Sequence, residues 1–288
     1  MRFVSGASTE ITPSDEKRLP ELAAVLPPGT AVYVEHPPKA TLGQVVHAAL
    51  AVQRCGFLAT PHIAPRRIPN AQTLRMALAD LRLGGVEQIL LVAGDADQPA
   101  GEFASTLEVL ESGILERSAI GRIGVAGHPE GNKSVGPMLL WQALEAKQRF
   151  AERTGIAMHI VTQFGLNARA AAAWQRELVH HGIRLPVHVG IAGPAPLSKL
   201  VHFAIQCGIG ASVRTLMRNL SAAGNIAELA VSPDQHLLEL LGEPAAAQIV
   251  APHFFAFGGA IETARWMREV AAGAFDVDVG AGKLRLKT

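Results

Sequence analysis

The sequence predicts a single (β/α)8 barrel, the TIM-barrel architecture, spanning residues 1–288 as one domain. Three observations carry that expectation. Eight short apolar runs rich in Val, Ile and Ala recur along the chain, as parallel strands buried on both faces require. Amphipathic stretches that open on helix-start residues and often close on Gly lie between them. No Pro/Gly/Ser-rich linker breaks the series, so the strand–helix units belong to one domain.

In order, the runs are "FVSGASTEI" (3–11), "AVYVEHP" (31–37), "FLATPHI" (57–63), "EQILLVAGD" (87–95), "RIGVAGHP" (122–129), "MHIVTQF" (158–164), "PVHVGIAG" (186–193) and "IVAPHFFAFGG" (249–259). "TPSDEKRLPELAAVL" supplies the first helical stretch, "TLGQVVHAALAVQRCG" the next, and "NAQTLRMALADLRLGG" and "NARAAAAWQRELVHHG" follow the third and sixth runs. Only residues 196–248 strain the pattern, because they must hold several helices plus the short apolar piece "GIGASV". If that piece is a strand, an open doubly wound sheet is the alternative.

With 49% hydrophobic residues and a mean hydropathy of +0.22, the chain can bury a large core. Its 26 basic and 25 acidic side chains nearly cancel and form no like-charge block, which argues against nucleic-acid and membrane-surface partners and leaves small molecules. Cys55 and Cys207 form no CxxC pattern and are expected as buried small hydrophobes in a reduced compartment. "MRFVSGASTE" lacks the apolar stretch of a signal peptide, and a cytoplasmic location is expected.

In a barrel of this kind the functional groups lie at the C-terminal ends of the strands. The runs place Glu10, Glu35, His36, His62, Asp95, His128, Glu130 and Gln163 there, with His253 nearer mid-strand. Asp95 taken alone also reads as a cap or turn residue, since Asp after Gly often serves that purpose. No HxH or HExxH pair sets up a metal site, no GxSxG elbow marks a nucleophile, and no Walker loop cradles phosphate. His159 and His188 fall inside strands and read as satisfied barrel residues, while His180 and His181 end a helix, where positive charge is favoured.

Six short motifs in register, "STEITP" (8–13), "PHI" on the third run, "GD" ending the fourth, "VAGHPEGNKS" (125–134), "VTQF" (161–164) and "HFFAFGG", resemble those of methylenetetrahydrofolate reductases. The resemblance spans nearly the whole chain and implies reduction of 5,10-methylenetetrahydrofolate to 5-methyltetrahydrofolate by NAD(P)H, usually through FAD. By that resemblance Glu10 is the catalytic acid that protonates folate N10 and opens the ring to an iminium, for which its pKa must be raised. Asp95 and Gln163 match residues that hydrogen-bond the pterin, with Asp95 also stabilising charge on N5. His62 matches a cofactor-contacting histidine, and Ala104, Ser105, His128, Asn132 and Lys147 fall near flavin contacts.

Departures from the family pattern concentrate on those flavin contacts. Ala93 stands where flavin-dependent members carry Arg, His128 where they carry Tyr, and Asn132 where they carry His. Met138 replaces an Asp that binds the ribityl chain, Gly258 and Gly259 replace an Arg, and no aromatic clamp is evident in "ASVRTLMRN". Loss of the Arg at Ala93 and of the ribityl-binding Asp at Met138 would each weaken flavin binding by about 1–3 kcal/mol, so a divergent reductase with little or no FAD and direct hydride transfer from NAD(P)H is the expectation. Arg214 and Arg218 suit a folate tail or a nucleotide phosphate, or else a solvated helix face. Alternatives on the same barrel are a tetrahydrofolate-binding methyl-transfer or demethylation protein and a noncatalytic partner subunit. A homo-oligomer can form through the "AAAAWQRELV" helix, unless that Ala run faces the barrel.

Overall fold

The computed structural model describes residues 2–165, 167–207, 209, 230–243, 249–278 and 283–286. Eight strands close into a barrel: β1 (Ser8–Ile11), β2 (Ala31–Val34), β3 (Leu58–Ile63), β4 (Gln88–Leu91), β5 (Arg122–Gly127), β6 (Ala157–Gly165), β7 (Val187–Ala192) and β10 (Ile249–Phe255). Their order around the ring is β1-β10-β7-β6-β5-β4-β3-β2, so every apolar run of the sequence contains a barrel strand and the open-sheet alternative fails. Two short strands, β8 (Ala195–Pro196) and β9 (Ala230–Val231), pair outside the barrel, as do β11 (Phe275–Asp278) and β12 (Lys283–Leu286). Of the "GIGASV" stretch only Ile209 lies within the described residues.

The chain divides into two compact units, one of residues 8–126 and 145–160, the other of residues 1–7, 127–144 and 161–288. In the first unit the helices Leu42–Arg54 and Ala71–Leu83 cover the outer face of β2–β4. Thr41 caps one through the Gln44 N–H and Asn70 caps the other through the Thr73 N–H, each satisfying a donor that a helix start leaves open. Their inward residues Val45, Val52, Leu74 and Leu81 are completely buried with Val32, Val34, Ile89 and Leu91. At about 1.5–3 kcal/mol per buried aliphatic side chain, this packing is the main force holding helices to strands.

Tyr33 on β2 hydrogen-bonds His159 on β6 at 3.0 Å. Those strands stand four places apart in a ring of eight, so the bond crosses the bore. Gly124 makes room for it, since a Cβ there would lie 2.9 Å from His159 Nε2. Side chains thus occupy the bore at this level, and barrels of this kind place ligand chemistry at the C-terminal strand ends.

In the second unit Phe164, Ala192, Ala195, Leu200, Ala204, Ile209 and Phe257 form one buried cluster, with Phe203 and Phe255 packed on it. The helix Ala168–His180 turns Ala171, Ala172, Trp174 and Leu178 inward, so much of the Ala run faces its own unit. Trp266 donates its indole N–H to buried Asp234 at 2.9 Å, tying the helix Ala260–Ala271 to the helix Asp234–Leu241.

Several strands are shorter than their apolar runs. The first begins only at Ser8 because Arg2–Ser5 form a helical turn, closed by Ala7 N–H donating to Val4 O at 3.0 Å. The fourth stops at Leu91, four residues before Asp95. Gly94 there adopts φ +87, a left-handed conformation that breaks extended pairing. Arg66 holds the resulting loop, donating to the carbonyls of Ala96 (2.7 Å), Asp97 (2.6 Å) and Ala104 (3.0 Å).

Candidate functional site

Strand register explains the first feature. Glu10 on β1 lies opposite Tyr33 on β2, and Glu35 follows two residues later on the same side of the alternating chain. The Glu35 N–H donates to Ile11 O at 2.9 Å, which continues the β1–β2 ladder past the strand end. Glu10 is buried at 4% exposure, and the Glu35 carboxyl hydrogen-bonds its carboxyl. Burial first, then the charge and hydrogen bond of Glu10, then Asp15, push the Glu35 pKa well above the usual carboxylate range. Two carboxyls this close cannot both ionise cheaply, so the pair retains a proton that isolated glutamates would lose. Asp15 is itself engaged, accepting from the Thr12 N–H (2.9 Å) and hydroxyl (2.7 Å).

His62 near the end of β3 is half-buried, its ring edge-on to Tyr33 with centroids 6.1 Å apart. The Tyr33 phenol is held neutral by burial, which pushes its pKa up. His36 is buried, and its pKa is lowered by that burial and by the Arg67 guanidinium. Arg67 donates to the His36 carbonyl at 2.8 Å and also pairs with Asp95.

Asp95 does not end a strand, as the sequence reading expected. It sits in the loop after β4 with its side chain 74% exposed against Arg67. An exposed pair of this kind contributes about 0–1 kcal/mol. Ala93 beside it is also exposed.

The expected cofactor contacts are scattered. Ala104 gives its carbonyl to Arg66, and Ser105 caps the short helix Thr106–Glu111 through the Glu108 N–H. Lys147 is buried on the inner face of the helix Pro137–Thr154, ten residues in, which is about 15 Å along the axis from its first residue. Burial lowers its pKa to about 8. His128 and Asn132 are half-buried in the loop after β5, where the Asn132 side chain accepts from the Ser134 N–H at 2.8 Å, and Met138 is exposed. This set offers no exposed cation for a pyrophosphate and no carboxylate for a ribityl chain, so these residues do not fit a flavin. Arg214 and Arg218 lie outside the described residues.

Gln163, near the end of β6, is half-buried and lines a small cleft with Glu130, Gly165 and His236. His253 is fully buried, and burial drives its pKa to about 3, leaving it neutral. His159 is the satisfied barrel residue expected, bonded to Tyr33. His181 stacks on Trp141 at 4.3 Å. Cys55 is half-buried rather than buried, and the Cys207 side chain lies outside the described residues.

Sequence reasoning placed Glu35 at a strand end but gave it no role, and it missed His236 altogether. The alternation Tyr33, Glu35 set against Glu10 was the signal for the first, whereas nothing in "DQHLLELL" marks its histidine. Among the described residues no cluster of three His, Cys, Asp or Glu is placed to hold a metal ion, and no helix is long and apolar enough to cross a membrane.

No known family's sequence profile matches the chain. Among solved structures, the crystal structure of dihydropteroate synthase from Thermus thermophilus is similar at 15% identity and a TM-score of 0.48, over 93% of each chain. The closed strand order, not that likeness, carries the fold.

Proposed function

We propose that the chain reduces 5,10-methylenetetrahydrofolate to 5-methyltetrahydrofolate with NAD(P)H as the direct hydride donor. The observation that supports this most is the Glu10–Glu35 pair, where Glu10 is buried at the end of β1 and burial together with the Glu10 carboxyl raises the Glu35 pKa well above the usual carboxylate range. The closed imidazolidine ring is a poor hydride acceptor. A proton delivered from Glu10 to N10 breaks the bond from N10 to the methylene carbon and leaves an N5 iminium. Hydride from the nicotinamide C4 then reduces that carbon to the methyl group, giving NAD(P)+ and an ionised carboxyl pair that is reprotonated from water. Such acid assistance contributes roughly 10²–10⁴ in rate.

Glu35 is the positioning residue that keeps the proton on the pair. Gln163 is the proposed pterin contact, its amide fixing the ring by hydrogen bonds. The exposed Asp95, held by Arg67, is not required. No step passes through a flavin, in keeping with the residues at Ala93, Asn132, Met138 and Lys147.

The test is NADH and NADPH oxidation dependent on methylenetetrahydrofolate, with an absorbance spectrum of the purified protein. Turnover without a flavin band is expected, and Glu10→Gln should lower kcat by about 10²-fold or more. A stoichiometric flavin band would refute direct transfer. Binding of folate without nucleotide oxidation would favour the methyl-transfer reading.

A further inference from the structure

An open trough of about 540 Å³ runs between the helices Leu42–Arg54 and Ala71–Leu83 on the outer wall of the barrel. Helical spacing builds its two walls. Gly43, His47, Leu50 and Arg54 recur at i, i+4, i+7 and i+11 on one helix, and Met76, Asp80 and Leu83 at i, i+4 and i+7 on the other. The floor is apolar, made by buried Val46 and half-buried Leu50. Gly84 brings its backbone onto Leu50, since a Cβ there would run into that side chain, and Gly43 adds nothing to fill the space. Beside the floor Leu83 is 87% exposed, and Met76 on the same stripe is 58% exposed. A helix face that projects large apolar side chains beside an apolar trough marks a contact surface.

The charges on the rim say what fits. His47 is engaged by Glu16 at 3.3 Å, which leaves Arg54 on one wall and Asp80 on the other. Both are exposed, and among the described residues neither side chain has a hydrogen-bond or ion-pair partner. A trough this open buries too little of a small ligand to hold it. A matching surface must offer an aliphatic knob for the floor, an anion for Arg54 and a cation for Asp80. The same face of a second copy, turned about a two-fold axis, supplies all three as Leu83, Asp80 and Arg54. With a formal net charge of +1, two copies meet without long-range repulsion.

We infer that this face pairs two copies of the chain about a two-fold axis, Leu83 of each seated over Leu50 of the other and Arg54 of each paired with Asp80 of the other. Arg54 and Leu83 end their helices just before β3 and β4 begin, so the contact reaches toward the N-terminal ends of those strands. The carboxyl pair at the C-terminal ends stays open to substrate. The inference is independent of the proposed reaction.

Sedimentation of the full chain over about 1–100 μM should show a concentration-dependent dimer, since interfaces of ordinary size associate in or below the micromolar range. Leu83→Glu places a charge at the centre of the contact and should weaken dimerisation by about tenfold or more. Arg54→Glu and Asp80→Arg each set two like-charge contacts across the axis and should weaken it by about the same factor. An equimolar mixture of those two single variants pairs opposite charges at both contacts and should dimerise within about threefold of the native chain. All three side chains are exposed, and melting temperatures confirm that the variants fold. The two charge variants carry the test if Leu83→Glu does not fold. A chain that stays monomeric to about 100 μM, a dimer indifferent to Leu83→Glu, or a mixture no tighter than either charge variant alone overturns the inference.

Discussion

Replacing Glu35 by Gln tests the carboxyl pair without touching the acid itself. In the native pair a second ionisation would set two charges at hydrogen-bond separation. Burial and the neighbouring Glu10 carboxyl therefore hold the Glu35 pKa well above the usual carboxylate range. The substituted amide carries no charge and donates to the Glu10 carboxylate, which favours the ionised form. The alkaline limb of kcat/KM for NAD(P)H oxidation should therefore move to lower pH in Glu35→Gln, with the acidic plateau preserved. Stability gives an activity-independent reading. A carboxyl whose folded pKa exceeds 4.5 makes the folded state hold more protons than the unfolded one, so its contribution to stability falls as pH rises from about 4.5 through the raised value. Glu35→Gln should remove that decline. An alkaline limb and a stability profile both unmoved by the substitution would refute the shared proton.

The histidines act with the opposite sign. His236 and His253 have folded pKa values of about 4 and 3 against 6.5 for the free group, so their contribution to stability is intact above pH 6.5 and is lost as pH falls toward those values. Chemical denaturation across pH 4–7 should show a slope of up to about 1.4 kcal/mol per pH unit for each, and a flat profile would mean that these rings are not buried neutral. Gly190→Ala should destabilise by about 1–3 kcal/mol or prevent folding. Its Cβ would meet the Thr162 and Gln163 carbonyl oxygens at 2.5 and 2.6 Å and the Phe255 ring at 2.6 Å, and an unchanged melting temperature would contradict that packing. Asp95→Asn should change stability by less than about 1 kcal/mol and leave the folate KM within about threefold, because the carboxylate meets Arg67 in contact with solvent. A large rise in KM would restore Asp95 as the pterin anchor.

Much of the architecture is legible because barrel strands must be apolar on both faces, and eight such runs stand out against amphipathic surroundings. Strand ends are less so. "VAGD" continues the apolar trend past Leu91, but Gly94 and the grip of Arg66, nearly thirty residues upstream, end the strand early. No local pattern reveals that grip, so Asp95 reads as a strand-end residue when it lies in the loop after β4, facing Arg67. Glu10 is legible since a carboxyl closing a buried run needs a reason. Glu35 acquires its meaning only from cross-strand register, which sets it beside Glu10. His236 hides within an apolar helix and becomes visible only where β6 and the loop after β5 pack against it. Lys147, whose motif position suggested a cofactor contact, is buried on the helix Pro137–Thr154.

Direct hydride transfer stands or falls on stopped-flow or steady-state oxidation of NADH and NADPH by the purified, flavin-free chain with 5,10-methylenetetrahydrofolate, run alongside Glu10→Gln. The native chain should form 5-methyltetrahydrofolate in stoichiometric amount, and the variant should be slower by about 10²-fold or more. No folate-dependent oxidation with either nucleotide, or equal rates for native and Glu10→Gln protein, would rule the mechanism out.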